Sequence, residues 1–194
     1  PYILEDGGSI LFSPPGRGKS QTALVWAVCI DAGINSLWQV KQCRVLFVNL
    51  ERSAISLKRR LANVNILLGL PANRPLLIMN ARGKSLSSIT PSIFRSIREC
   101  EVKLLILDSI SRAGYGDLTE STPVNSIIDT LSSLCQTWVA LGHSPRATDE
   151  HLFGSVMFDA GADIIIQLRS QVTENKLGIG YEIIKANDLP PIPQ

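Results

Sequence analysis

Ser9-Ile10-Leu11-Phe12-Ser13-Pro14-Pro15-Gly16-Arg17-Gly18-Lys19-Ser20 reads as a short apolar strand, a stiff Gly/Pro turn and the first residues of a helix. That order of elements is the context a phosphate-binding loop needs. Backbone N–H groups of residues 16–20 can surround a β-phosphate, helped by the amino end of the helix. Lys19 can reach the β- and γ-phosphates, and the Ser20 hydroxyl can hold Mg2+. Ser13 stands where the usual motif has its first glycine, which costs backbone freedom but removes no phosphate ligand. Gly16 and Gly18 keep the positions of close approach, and Pro14-Pro15 stiffens the loop. Arg17 and Gln21 join Gly16, Gly18, Lys19 and Ser20 as candidate nucleotide contacts. The plain alternative is a Gly/Pro turn before a helix that happens to carry a surface lysine.

Outward from this loop, short apolar runs alternate with helical patterns. A helix is expected over 20–30, with Leu24, Val25, Ala27 and Val28 on one broad face and Asp31-Ala32-Gly33 ending it. Strands are expected over 45–50, 76–79, 102–107, 137–141, 162–168 and 177–185, the last reached through a turn at Glu174-Asn175-Lys176. Further helices are expected over 55–70, over 91–100 with Pro91 in the first turn, and over 124–134. The continuous apolar character of 45–50 suits a parallel strand buried on both faces. Strands alternating with helices predict an α/β fold: a mostly parallel central sheet flanked by helices. The final two strands have no helix between them and are expected to form an antiparallel C-terminal extension. We expect a single domain over 1–187, followed by a proline-rich tail or linker over 188–194 that cannot sit in a central strand.

Composition narrows the class. The chain has 194 residues, 45% of them hydrophobic, which is enough for one full core and argues against disorder. No apolar run approaches the roughly 18 to 20 residues of a membrane span. The net charge of +2 neither requires nor excludes a nucleic-acid partner. Four cysteines without a CxxC pair, and two histidines, make a zinc site a poor expectation. The expected setting is cytoplasmic. Because the first residue is Pro1 rather than Met, the start is expected to be a trimmed boundary or the interior of a longer polypeptide.

Two carboxylates and a histidine are expected at strand ends. Asp108 follows Leu104-Leu-Ile-Leu107, at the edge that carries the phosphate loop, where it can hold Mg2+. Glu51 follows 45–50 in the same way and can polarise the attacking water as general base. His143 ends the next apolar run and can contact the γ-phosphate or that water. Each also has a bland reading: a turn-starting Asp, a solvated strand-end Glu, a satisfied polar His. Asp163 begins a strand and is left out of the site, and His151 is expected in a loop.

Together, Ser13 to Ser20, Val-Asn-Leu-Glu51-Arg52-Ser, Leu-Leu-Ile-Leu-Asp108-Ser109, His143, His151-Leu-Phe-Gly154-Ser155 and Lys185-Ala-Asn187 form a pattern. It resembles the RecA-like P-loop core of RecA, of DnaB-type hexameric helicases and of the plasmid helicase RepA. The nearest likeness is to the RepA-like AAA family ATPases of phages, plasmids and mobile elements, over about residues 3–187. The resemblance implies ATP with Mg2+ as cofactors, bound by Lys19, Ser20 and Asp108, with Glu51 as catalytic base and His143 as a sensor. It implies a pore or filament-axis loop over 144–155 and a homo-oligomer, expected to be a hexamer, acting on single-stranded DNA. It also implies a cation from the last strand that reaches a neighbour's ATP. Lys185 can serve there, but Asn187 replaces the arginine of the family pattern. Arg169 and Arg146 are candidate substitutes for that cation.

Arg146 and Arg112 are candidate phosphate contacts, the former opposed by Asp149 and Glu150. Tyr115 reads as a loop aromatic packing on the surface, with base stacking as the alternative, and Lys58, Arg59 and Arg60 read as a solvated helix face, with binding of a partner or phosphate as the alternative. Two functions follow: a helicase-like DNA-dependent motor, or a regulatory or loader ATPase that switches assembly without unwinding. A non-hydrolysing P-loop scaffold is disfavoured by the presence of both Glu51 and Asp108. A dinucleotide-binding fold would not carry the Lys-Ser pair, and a small-molecule kinase would want an arginine-rich lid.

Overall fold

The computed structural model describes residues 2–145, 152–174 and 176–187. His151, Arg146, Asp149, Glu150, Asn175 and the 188–194 tail lie outside the described residues. Seven strands form one sheet: β1 Gly8–Ser13, β2 Val45–Asn49, β3 Leu77–Asn80, β4 Leu104–Asp108, β5 Trp138–His143, β6 Ile164–Thr173 and β7 Lys176–Ala186. Their order across the sheet is β3-β2-β4-β5-β1-β6-β7. All neighbouring pairs are parallel except β6 and β7, which form the antiparallel extension. Among the described residues five α-helices accompany them: α1 Lys19–Ala32, α2 Ala54–Leu67, α3 Leu86–Glu99, α4 Ser121–Leu134 and α5 Met157–Gly161.

The parallel strands alternate their apolar residues between two cores, which is why they read as unbroken hydrophobic runs. Ile10, Phe12, Leu46, Val48, Leu105 and Leu107 face a core shared with α3, α4 and α5. Leu11, Val45, Phe47, Leu104 and Ile106 face the other, shared with α1 and α2. On α1, Leu24, Ala27 and Val28 are buried as expected and Val25 is half-buried. Gly33 closes that helix in the left-handed region at φ 71°, accepting a conformation that costs a side-chain residue energy.

Three departures from the sequence expectations have local causes. Helix α3 begins at Leu86 rather than near Pro91, so Pro91 lies inside the helix and not in its first turn. Ser85 caps the helix, its hydroxyl accepting from the Ser88 N–H at 3.3 Å, and Leu86, Ile89 and Ile93 carry the buried stripe through the proline. Helix α4 begins at Ser121, with Pro123 and Val124 both buried, three residues before the apolar pattern starts. A single 3-10 turn over Ile110–Arg112 and the short α5 carry too few residues for a periodic signal.

Candidate functional site

The parallel register brings the polar strand ends to one edge of the sheet. Ser13 is level with His143, and Asn49 is level with both Asp108 and Asn80. The phosphate loop leaves β1 at this edge and enters α1, with Gly16 at φ 80° and Gly18 at φ 103°. A side chain at Gly16 would have open space, so the positive φ is what demands glycine there. Among the described residues, the N–H groups of residues 16–20 make no hydrogen bond within the chain. They form an open set of donors at a helix amino end, the arrangement that accepts a phosphate.

Lys19 is 6% exposed and folded back on the loop. Its Nζ donates to Ser13 O at 2.7 Å, to Ser13 Oγ at 3.2 Å and to Pro14 O at 3.0 Å. Burial lowers its pKa from 10.5 to about 8, against the pull of the Glu51 and Asp108 charges. Ser13 therefore cradles the lysine. It lies at the end of β1 and is not among the positive-φ residues, so the serine carries none of the backbone cost expected for losing the first glycine. Arg17 is exposed and Gln21 half-buried, both within the loop-to-helix segment.

Asp108 is 1% exposed and its Oδ2 has no hydrogen-bond partner among the described residues. Burial raises its pKa, while the Ser20 hydroxyl beside it pulls the other way. A buried, unpartnered carboxylate oxygen next to a hydroxyl is an oxygen donor set that fits Mg2+. Ser20 and Asp108 are thus the residues that would hold the ion.

Glu51 sits just past β2, where Asn49 shapes the turn. The Asn49 Oδ1 accepts from the Arg52 N–H at 2.9 Å, and its Nδ2 donates to Arg52 O at 2.8 Å and to Asn80 Oδ1 at 3.1 Å. Leu50 N–H donates to Asp108 O at 2.7 Å, which ties this turn to β4. Glu51 Oε1 accepts a short hydrogen bond from Ser109 Oγ, and Ser111 Oγ and His143 Nε2 each lie 3.5 Å away. The His143 contact first, then Ser109 and the Arg52 charge, hold the Glu51 carboxyl down at about 2, against partial burial. Such a group is an anion at every physiological pH. It can orient and polarise water, and loosening of its partners would raise its basicity.

His143 also anchors the loop that follows. Its carbonyl accepts from the Phe153 N–H at 2.7 Å, and Ser144 N–H donates to Ser13 O at 3.2 Å. Leu152 packs on Gly142, where a Cβ would come within 2.3 Å of it. The departing and returning ends of this loop thus meet on the phosphate-loop edge. Gly154, at φ 131°, lies against Leu118 O, and Ser155 N–H donates to that carbonyl at 2.7 Å.

The structure brings Gly16, Gly18, Lys19, Ser20, Glu51, Asp108 and His143 to one edge. It does not bring Lys185 there. Lys185 lies level with Ile165 at the opposite edge, and its Nζ donates to Asp159 O and, at 2.7 Å, to Ala162 O. Arg169, a candidate for the missing cation, is paired with Glu182 at 2.6 Å. Tyr115 packs against the α3–α4 core and its hydroxyl meets Thr130 Oγ1 at 2.9 Å, so it takes the packing role. Sequence reasoning missed Ser109, Ser111 and Asn49 as partners of the site. The available signal was a Ser-x-Ser directly after a strand-end aspartate.

An open anion-binding loop, a buried lysine, a hydroxyl–carboxylate pair and a second, half-buried carboxylate define the class: a nucleotide-hydrolysing P-loop ATPase with a RecA-like α/β fold. The AAA domain family model matches residues 1–145, three quarters of the chain, and the chain belongs to that family. A comparison with curated proteins returned no match. No helix among the described residues is long and apolar enough to cross a membrane.

Proposed function

We propose that this chain is a Mg-ATP-driven, helicase-like motor that acts on single-stranded DNA as a ring of identical subunits. The observation that carries it is the link between the hydrolytic and loop elements: Glu51 is held by Ser109 and His143, and these residues begin the two loops that leave this edge after β4 and β5. A change at the γ-phosphate is then felt in both loops, and strain on either loop is felt by Glu51. In this assignment the loop N–H groups and Lys19 bind the phosphates, and Ser20 and Asp108 hold Mg2+. The ion supplies charge neutralisation at the transferring phosphoryl group. Glu51 orients the attacking water, and His143 couples its position to the loop after β5.

The test is steady-state ATP hydrolysis with and without single-stranded DNA, at concentrations that allow assembly. Stimulation by DNA, lost in Glu51→Gln, is the expected result. Hydrolysis indifferent to DNA would overturn the motor.

One observation favours a second reading, a regulatory ATPase that switches assembly without unwinding. Lys185 is occupied by two carbonyls of its own chain, and the Asn187 N–H donates to Asp163 O at 2.8 Å. Among the described side chains of this strand, Lys185 held in this way is not a cation free to reach a neighbour. Lys185→Ala separates the two: lost turnover with an unchanged melting temperature favours the trans-acting lysine, whereas a lower melting temperature with turnover intact favours the second reading.

A further inference from the structure

Glu51 also lines a cleft of about 390 Å3. Its walls include Arg82, Gly83, Lys84 and Ser85 from the turn between β3 and α3, Arg112 from the 3-10 turn, and Glu51. No residue of the phosphate loop lines it, so it is not the seat of the bound nucleotide. Arg82, Lys84 and Arg112 are all exposed, and none has an ion-pair or side-chain hydrogen-bond partner among the described residues. Three unneutralised cations around one concavity repel one another, and an anionic ligand relieves that repulsion. The amino end of α3, capped by Ser85, adds its positive field on the same side.

Resting on the motor reading above, we propose that this cleft seats phosphodiesters of single-stranded DNA, a contact surface separate from the loop after β5. Three features favour a nucleic-acid backbone. Two guanidinium forks and one ammonium suit phosphate oxygens. No aromatic side chain lines the cleft, so contact is with backbone and not with stacked bases. Gly83, at φ 80° with no atom within 4 Å of a Cβ, lets a strand approach the turn closely. Glu51 adds a negative charge to the lining. This disfavours a compact polyanion and suits a ligand carrying a single charge per phosphate.

The position gives the contact a consequence. Arg112 follows Ser111 and Ser109, whose hydroxyls face Glu51 Oε1. The Leu86 N–H donates to Ala113 O at 2.8 Å, joining the start of α3 to the end of the 3-10 turn. A strand that draws Arg112 toward Arg82 and Lys84 therefore acts on the hydroxyls that restrain Glu51. Occupancy of the cleft would change how freely Glu51 turns to water.

The test is fluorescence anisotropy of a labelled oligothymidylate of about 20 nucleotides on the full chain, across salt concentrations. Expected for Arg82→Ala/Lys84→Ala is a loss of about tenfold or more in affinity at low salt. The slope of log affinity against log salt should also become shallower by about 1.4, the two phosphate contacts removed. Arg82→Lys/Lys84→Arg should bind within about twofold of the parent, since the charge is kept. Arg112→Gln, on a separate element, should reduce the slope by about 0.7 and tests the cleft independently should the double variant fail to fold. Parental binding with an unchanged slope in these variants would overturn the cleft and leave the motor reading standing. No binding by the parent would overturn both. Loss of binding to a labelled polyglutamate peptide, with oligothymidylate binding intact, would assign the cleft to an acidic protein partner and overturn it.

Discussion

The two edges of the sheet carry similar residues and treat them differently. At the edge where β6 begins, Asp163 Oδ2 accepts from the Gly8 N–H at 2.8 Å, its backbone N–H donates to Gly8 O at 2.8 Å, and Lys185 donates to two carbonyls. At the edge where β1 ends, Asp108 Oδ2 and His143 Nδ1 are buried without a partner among the described residues, and Lys19 is turned back on its own loop. One aspartate closes a joint between strands, and the other is left unfinished. Polar groups that folding leaves incomplete are those a ligand can complete, and the protein bears the cost until it arrives.

The largest effect that sharpens this contrast is at Glu51. Glu51→Gln keeps shape and removes the charge that, in the proposed assignment, orients water. ATP turnover should fall by about 10^2- to 10^4-fold, while binding of a fluorescent ATP analogue persists, because the phosphate loop carries that binding. Turnover within a few-fold of the parent would show that the carboxylate is not the base.

The aspartates test the contrast directly. Asp163→Ala leaves the buried Gly8 N–H unpaired and should cost about 1–3 kcal/mol. At about 2–4 °C per kcal/mol for a chain of this size, thermal melting would move by several degrees. Asp108→Asn should do the opposite in Mg-free buffer: it replaces a buried charge, relieved only in part by the Ser20 hydroxyl, with a neutral isostere, so melting should hold or rise while Mg-dependent turnover is lost. Equal destabilisation by both substitutions would break the contrast between the edges.

Lys19 gives a pH signature. In the ligand-free protein its pKa lies near 8, below the ordinary 10.5. The unfolded chain then holds more protons between those values, so the stability of the free protein rises with pH across that window. In the proposed assignment ATP binds the ammonium form, so its affinity should fall over the same window, by up to about tenfold per pH unit. Calorimetric titration in two buffers of different ionisation enthalpy should show proton uptake on binding above pH 8. Affinity that is flat from one unit below that value to one unit above it would show that Lys19 keeps its charge in the free protein.

Much of this was legible in the sequence. The strands, the parallel sheet and the antiparallel end followed from apolar runs such as 45–50 and 104–107, because a strand buried on both faces admits little else. Glu51, Asp108 and His143 could be placed at one edge because parallel strands deliver their carboxyl ends together. The start of α3 was not legible: Pro91 looks like a first-turn residue, and only the packing of Leu86 and Ile89 under Ala113 pulls the helix back past it. Nor was the restraint on Glu51. Ser109 and Ser111 lie 58 and 60 residues away in sequence, and a hydroxyl in a loop carries no periodic signal of its partner. The position of Lys185 was hidden in the same way, since its direction depends on the register of β7 against β6.

Ser109 is the case between the two edges, a hydroxyl that partly completes a group at the functional edge. Ser109→Ala removes the short bond to Glu51 and leaves the His143 contact, which does more to hold the Glu51 pKa at about 2. The carboxyl should therefore rise toward its ordinary value without reaching it. A depressed carboxylate stabilises the fold above its unfolded pKa, and that stability is lost as pH falls through the folded pKa. In the variant, acid unfolding should begin at higher pH, and the acid limb of the turnover profile should move the same way. At neutral pH the effect on turnover should be about two- to tenfold. Its sign is informative. A fall would mean that Ser109 aims the carboxylate at water. A rise would mean that the serine restrains it, as expected if tension on Arg112 releases Glu51 when a strand is bound.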